Sequence, residues 1–264
     1  MGIKAVLFDL DDTLLWDERS VQEAFRATCE EASRVTGVDP VKLEEAVRRE
    51  ARALYESYET FPFTKMIGIN PFEGLWANFT SGEQEEFRKL EALAPGYRTA
   101  SWTRGLLALG IDDPELGYRL GELFPAERRS RPIVYEETFE VLDSLKGRYQ
   151  LLLLTNGSPD LQKEKLAGVP ELVPYFDHII ISGEFGRGKP NPAIFEHAVS
   201  LLGIKPEEGL MVGDKLTTDI MGSNAIGMRS LWINRHEITR TDEIIPVHEI
   251  RSLRDIQDII DSIA

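Results

Sequence analysis

An apolar stretch from Ala5 to Leu10 breaks into carboxylates at Asp9, Asp11 and Asp12, with Thr13 directly behind them. Residues two apart in extended chain share a side, so Asp9 and Asp11 can converge on one reaction centre. Two carboxylates that close repel each other, and the repulsion raises one pKa. A divalent cation relieves it, while a raised pKa on the carboxyl whose side chain is not a ligand suits a general acid. The plainer reading of the same residues is an Asp-rich turn in which Asp12 or Thr13 caps the next segment of chain.

Three later segments supply what carboxylates alone lack. Leu153-Leu154-Thr155-Asn156-Gly157 ends an apolar run in a hydroxyl and Gly-assisted backbone amides, a combination that holds phosphate oxygens. Gly188-Lys189-Pro190-Asn191-Pro192 sets one cation before a helix, where Lys189 can neutralise both a nucleophile and a phosphoryl group. Leu210-Met211-Val212-Gly213-Asp214 ends a further apolar run in Asp214, with Asp219 close behind. Hard oxygen ligands at such a strand end suit Mg²⁺. Asp219 by itself would only favour a helix N-terminus. A nucleophile, a proton donor and positive charge are together the needs of phosphate-ester hydrolysis.

Groups so distant along the chain meet only if the elements carrying them end side by side. Short apolar runs at 4–9, 150–155, 178–181, 210–214 and 229–233 stop at polar or Gly-containing turns and read as strands buried on both faces. Between them, Thr138 to Leu145 before Gly147, and Pro192 to Leu202 before Gly203, have helical spacing with matching end signals. Thr217 and Thr218 are placed to cap a helix that Gly227 ends. Such alternation predicts an α/β fold, a Rossmann-like parallel sheet covered on both sides. All four segments then lie at or just past the C-terminal ends of strands, where open α/β sheets bind ligands. The interval 16–131 differs, with charged helical patterns at 41–58 and 83–93 and an aromatic, Pro- and Gly-punctuated stretch at 61–79 that reads as irregular and internally packed. It reads as an α-helical domain inserted into a core made of 1–15 and 132–264.

With these motifs in this order, the chain resembles the haloacid dehalogenase superfamily, specifically its phosphatases with a helical C1-type cap. The match rests on Asp9-Leu10-Asp11-Asp12-Thr13, Thr155-Asn156-Gly157, Lys189-Pro190-Asn191-Pro192 and Gly213-Asp214 through Asp219; the insert matches only in position and helical character. The runs 151–157 and 211–234 are similar to N-acylneuraminate-9-phosphatase-like and pyrimidine-nucleotidase-like members, which fixes no substrate. The resemblance implies that Asp9 attacks phosphorus to give an aspartyl-phosphate and that Asp11 protonates the leaving alcohol and later activates water. It implies Mg²⁺ on the side chains of Asp9 and Asp214 and the main-chain carbonyl of Asp11, with Asp219 and Thr13 steadying the site from behind. Thr155, Asn156 and Lys189 are the implied phosphoryl-binding groups. Asp11 argues against carbon–halogen chemistry, for which the family has a Tyr at this place. A phosphomutase of the same fold and a non-enzymatic aspartyl-phosphate acceptor remain as alternatives.

Composition bounds the partners. At 264 residues, 42% hydrophobic and 28% charged, the chain has the make-up of a soluble globular protein. A net charge of −15 argues against a nucleic acid polymer as partner, because phosphate backbones recruit clustered Lys and Arg. A small phosphorylated metabolite remains compatible, since a cation site can be locally positive. Arg98, Arg104, Arg128 and Arg129 of the insert are candidates for contacting a substrate anion, but on an acidic surface they read as solvated and stay outside the catalytic set. Cys29 is the only cysteine, so no internal disulfide can form. No stretch reads as a membrane span or signal peptide, which leads to the expectation of a cytoplasmic monomer or homodimer.

Overall fold

The computed structural model describes residues 2–240 and 243–263. The chain starts with β1 (Ala5–Phe8) and runs through α1 (Asp17–Thr36), α2 (Pro40–Ser57), α3 (Phe61–Ile67), the single turn α4 (Pro71–Gly74), α5 (Glu85–Leu107) and α6 (Pro114–Arg129). It continues as α7 (Thr138–Leu145), β2 (Gln150–Thr155), α8 (Pro159–Gly168), β3 (His178–Ile181), α9 (Ser182–Phe185), α10 (Pro192–Leu202) and β4 (Gly209–Gly213). The last elements are α11 (Met221–Ala225), β5 (Arg229–Ile233), β6 (His248–Ile250) and α12 (Ile256–Ile263).

The strands form one sheet in the order β3-β2-β1-β4-β5-β6, every neighbouring pair parallel. Every residue of β1 and β4 is buried, which is why both read as unbroken apolar runs rather than as alternations. Strand order reverses direction between β1 and β4, and this opens the crevice in which α/β sheets place ligands. Phe8 is in register with Val212, and the amide of Asp9 donates to the carbonyl of Val212 at 2.9 Å. The segments behind β1 and β4 therefore leave the sheet side by side. The five expected strands are all present within a residue of the expected bounds. β6 was not foreseen: its three residues at the sheet edge bury only Ile250 and make no pattern.

Contacts divide the chain into two compact units, one of Met1–Trp16, Val134–Gly157 and Val169–Ala264, the other of Asp17–Ile133 and Ser158–Gly168. The second is helical, around a core that includes Phe25, Leu43, Val47, Ile67, Trp102 and Phe124. Its 61–79 stretch, expected to be irregular, instead forms α3 and α4 and then packs inward. Pro62 suits the first turn of α3. Asn70 accepts from the amides of Phe72 and Glu73 while Glu73 accepts from the amide of Asn70, a reciprocal cap that closes α4. α5 also runs on past Pro95, because the inward face of Ala94, Tyr97, Ser101 and Trp102 holds the helix across the missing donor.

α8 comes directly after β2, yet it belongs with the helical unit rather than with the core to which the sequence pattern assigned it. Leu161 joins the helical core, Lys165 Nζ lies 2.9 Å from Glu73 Oε1, and the amide of Thr80 donates to Asp160 Oδ2 at 2.8 Å. Among the described residues, no helix is long and apolar enough to cross a membrane.

Phe25 is fully buried at the centre of the helical unit, 4.5 Å from the Phe124 ring and 5.9 Å from those of Trp102 and Phe72, with the Arg48 guanidinium 4.1 Å above it. Phe25→Ala is expected to cost about 3–5 kcal/mol, since rings on several sides cannot all collapse into the hole. Urea unfolding followed by tryptophan fluorescence would measure it.

Candidate active site

Asp9 is the residue with which β1 leaves the sheet, and Lys189 is fixed against it. The ammonium of Lys189 lies 2.7 Å from Asp9 Oδ1, 2.6 Å from Asp219 Oδ1 and 2.7 Å from the carbonyl oxygen of Leu154 in β2. Its loop is held by Asn156, whose side-chain amide donates to the carbonyl of Lys189 at 2.9 Å and accepts from the amide of Lys189 at 2.8 Å. Asn156 was expected among the phosphoryl-binding groups; both ends of its amide are instead engaged with the main chain of Lys189. A cation carried by a loop 35 residues from Leu154 is thus tied to the end of β2 at three points.

Asp214 comes directly after β4, and Asp219 returns from the next turn to lie against the strand it has just left. That turn, Leu216–Ile220, is a π-helical turn that runs into α11, with Lys215 rather than a threonine at its N-terminus. The expected caps are therefore displaced: Thr218 Oγ1 lies 3.3 Å from Asp219 Oδ2, which also accepts from the amide of Lys215 at 3.2 Å. Asp219 is fully buried, and it fits because position 213 is glycine. A Cβ there would overlap the Cβ, Cγ and Oδ2 atoms of Asp219.

Carboxylate oxygens of Asp9, Asp214 and Asp219 come within 4.8 Å of one another. Three carboxylates against the one ammonium of Lys189 leave an excess of negative charge in a mostly buried place. Burial pushes the Asp9 carboxyl up to about 6; Lys189 pulls it down and Asp219 pushes it further up. Asp214 is held well above the ordinary carboxylate range, first by loss of water and then by the charges of Asp9, Asp219 and Asp12. Lys189 is raised: burial works against its charge, but Asp219 and Asp9 more than offset the loss. A set of hard oxygen donors short of positive charge fits a divalent cation such as Mg²⁺.

Asp11, expected beside Asp9, is not in this three-carboxylate group. It is partly exposed in a tight turn in which the amides of Leu14 and Leu15 both donate to the carbonyl of Leu10 at 2.9 Å, and Asp12 takes the left-handed conformation at φ 58°. Thr13 is buried in the same turn, and Thr155 ends β2, also buried. Among the arginines read as solvated, Arg98 and Arg128 are buried, which corrects that expectation for both.

Sequence reasoning missed the brace behind this turn. Arg235, just past β5, donates to the carbonyl of Thr13 at 3.0 Å, pairs with Glu137 at 2.6 Å and covers the Tyr135 ring at 3.6 Å. Trp16 stacks on the same Tyr135 ring, with centroids 5.1 Å apart. An Arg after a strand carries no signal of such contacts. Gly213 does carry a signal, since a glycine at a strand end beside a ligand candidate hints at close approach.

The family model of haloacid dehalogenase-like hydrolases matches residues 3–227. The chain belongs to this family. Phosphoserine phosphatase of Thermus thermophilus is 35% identical over 254 residues, covering 96% of this chain and 98% of that protein. N-acylneuraminate-9-phosphatase of Mus musculus is 32% identical over 68% of this chain and 74% of that one. The magnesium-bound HAD-family protein YfnB of Bacillus subtilis superposes with a TM-score of 0.66 at 22% identity, over 99% of this chain and 100% of its own, which speaks to the fold. As a member of the haloacid dehalogenase-like family the chain is a hydrolase, on a branch whose curated relatives are phosphatases.

In this hydrolase Gly213→Ala would push the Asp219 carboxylate off the strand and away from Lys189. Divalent-cation affinity is expected to fall about 10–100-fold, the effect typical of groups that orient metal ligands; calorimetric titration with MgCl₂ reads it. The raised Asp9 carboxyl has a pH signature too. Its proton is held more tightly in the folded chain, so its contribution is fully present below 3.8 and is lost as pH rises towards about 6. In chelator-treated protein, the thermal midpoint of Asp9→Asn should therefore gain on wild type across that window and run parallel above it.

Proposed function

We propose that this hydrolase is a magnesium-dependent phosphomonoesterase that moves a phosphoryl group from a small metabolite to Asp9 and then to water. The substrate belongs to the sugar phosphate, nucleotide or phosphoserine class. One observation carries the reading: Asp9, where β1 leaves the sheet, shares the Lys189 ammonium with Asp219 while lying within 4.8 Å of Asp214. A carboxylate so placed is held next to a fixed cation and beside further ligands for a second one. The catalytic core is 1–15 with 132–264 apart from α8, which goes with the helical insert 16–131, and that insert acts as the cap that selects the alcohol.

A carboxylate oxygen of Asp9 attacks phosphorus, and the ester P–O bond breaks as the new P–O bond forms. Asp11 gives its proton to the leaving alcohol oxygen, then takes one from water, whose oxygen attacks the aspartyl-phosphate to release inorganic phosphate and restore Asp9. Magnesium held by Asp9, Asp214 and the carbonyl of Asp11 would supply charge neutralisation for the phosphoryl oxygens. Lys189 supports that neutralisation and keeps Asp9 oriented. Thr155 binds a phosphoryl oxygen, whereas Asn156 acts through Lys189, whose loop it fixes. Asp219 positions Lys189, and Thr13 belongs to the turn that presents Asp11.

Release of phosphate from p-nitrophenyl phosphate with MgCl₂ tests the proposal. Sustained turnover is expected in wild type, with a loss of at least about 10⁴-fold in Asp9→Asn at unchanged circular dichroism, as for removal of a nucleophile. A single equivalent of p-nitrophenol per chain without free phosphate would replace the hydrolase reading with that of a phosphoryl acceptor, and an active Asp9→Asn variant would remove Asp9 as nucleophile.

A further inference from the structure

Buried cations in the helical unit come with carboxylates, with one exception. Arg128 lies 2.6 Å from Asp17 and Lys165 lies 2.9 Å from Glu73, each pair largely out of water. Arg98, in the middle of α5, is 8% exposed and has no carboxylate within ion-pair distance among the described residues. Its Nη1 reaches the neutral side chain of Asn78 at 3.3 Å, and its Nε has no partner. Burial of a guanidinium with one long hydrogen bond is costly, and such a group keeps its donors for something that is not part of the chain.

The surroundings favour an anion. Asn78 offers no charge, and Arg129, whose guanidinium donates to the carbonyl of Trp76 two residues before Asn78, adds positive charge rather than compensating it. Glu122 is the one acidic group that acts on Arg98 from the neighbouring α6, and it makes no hydrogen bond to it. Gly121 lets α6 approach the backbone of Arg98 and Thr99 closely, while Asn78 holds the Nη1 end of the side chain. A planar fork of N–H donors held in this way matches a carboxylate, which accepts two of them side by side.

We propose that Arg98, assisted by Asn78, is an anion-binding residue that takes the carboxylate of a small organic acid. Two sources share this chemistry: an acid group on the phosphomonoester being hydrolysed, or a separate carboxylate that regulates the protein. The first source rests on the function proposed above, whereas the binding itself does not.

Wild type, Arg98→Met and Arg98→Lys are compared in two ways. Thermal unfolding is followed with and without serine and glycerate at millimolar concentration, a readout independent of turnover. Initial rates are measured on O-phosphoserine, on phosphoethanolamine, which lacks only the carboxylate, and on p-nitrophenyl phosphate. If the carboxylate belongs to the substrate, wild type prefers phosphoserine to phosphoethanolamine by at least about tenfold in kcat/KM, the size of a lost charge-assisted pair. Arg98→Met abolishes that preference with p-nitrophenyl phosphate turnover retained, and Arg98→Lys restores it only in part. If the carboxylate is a regulator, serine or glycerate shifts the unfolding midpoint or the p-nitrophenyl phosphate rate of wild type and not of Arg98→Met.

Without ligand, Arg98→Met is expected to unfold no lower than wild type, because it removes an uncompensated buried charge. A lower midpoint together with unchanged carboxylate responses would make Arg98 a structural residue and overturn the proposal. So would the absence of both a substrate preference and a ligand response in wild type. Loss of all turnover in wild type would sink the proposed reaction and leave the unfolding arm able to decide on Arg98.

Discussion

A lysine ammonium closed in between two carboxylates is the constraint on which the site depends. Lys189 touches Asp9 and Asp219 at 2.7 and 2.6 Å, with almost no water left around it. Charges removed from water are recovered only when their partners are fixed in place, so the neighbourhood has to be stiff. The parallel sheet supplies that stiffness by ending β1, β2 and β4 as immediate neighbours. Asn156 ties the lysine's loop to the end of β2, and the missing side chain at Gly213 lets Asp219 close from the other side. Removal of either would leave one of three charges facing a place no longer shaped to hold it.

The same arrangement makes the centre a fit for a divalent cation. A neutral pairing would need as many ammonium groups as carboxylates, whereas Asp9, Asp214 and Asp219 share one. The upward pressure on Asp9 and Asp214 comes from burial first and from neighbouring carboxylates after that, and a divalent cation answers both.

Much of this was legible in the sequence, for a physical reason. Strands buried on both faces leave unbroken apolar runs, and Asp9, Thr155 and Asp214 mark where three of those runs end. Which strand neighbours which is set by the parallel fold, so convergence could be expected before any distance was known. The contacts that depend on exact placement could not: Asn156 clamps the main chain of Lys189, and Asp219 meets the Lys189 ammonium directly. The insert was the least readable part. Its aromatic stretch is ordered by caps at Pro62 and Asn70, and its arginines divide into paired, unpaired and solvated sets that composition averages together. β6, with one buried residue, left no trace at all.

α8 has a consequence for how the two units could be exchanged between proteins. Because Leu161 and Lys165 complete the hydrophobic centre and the ion pairs of the helical unit, that unit is encoded in two separate stretches, Asp17–Ile133 and Ser158–Gly168. A chimera that grafts a foreign insert at the first stretch alone would strand Lys165 without Glu73 and Asp160 without Thr80. Moving this helical unit between relatives is therefore a two-piece transplant, and recombination that respects only the longer piece inherits a mismatched seam.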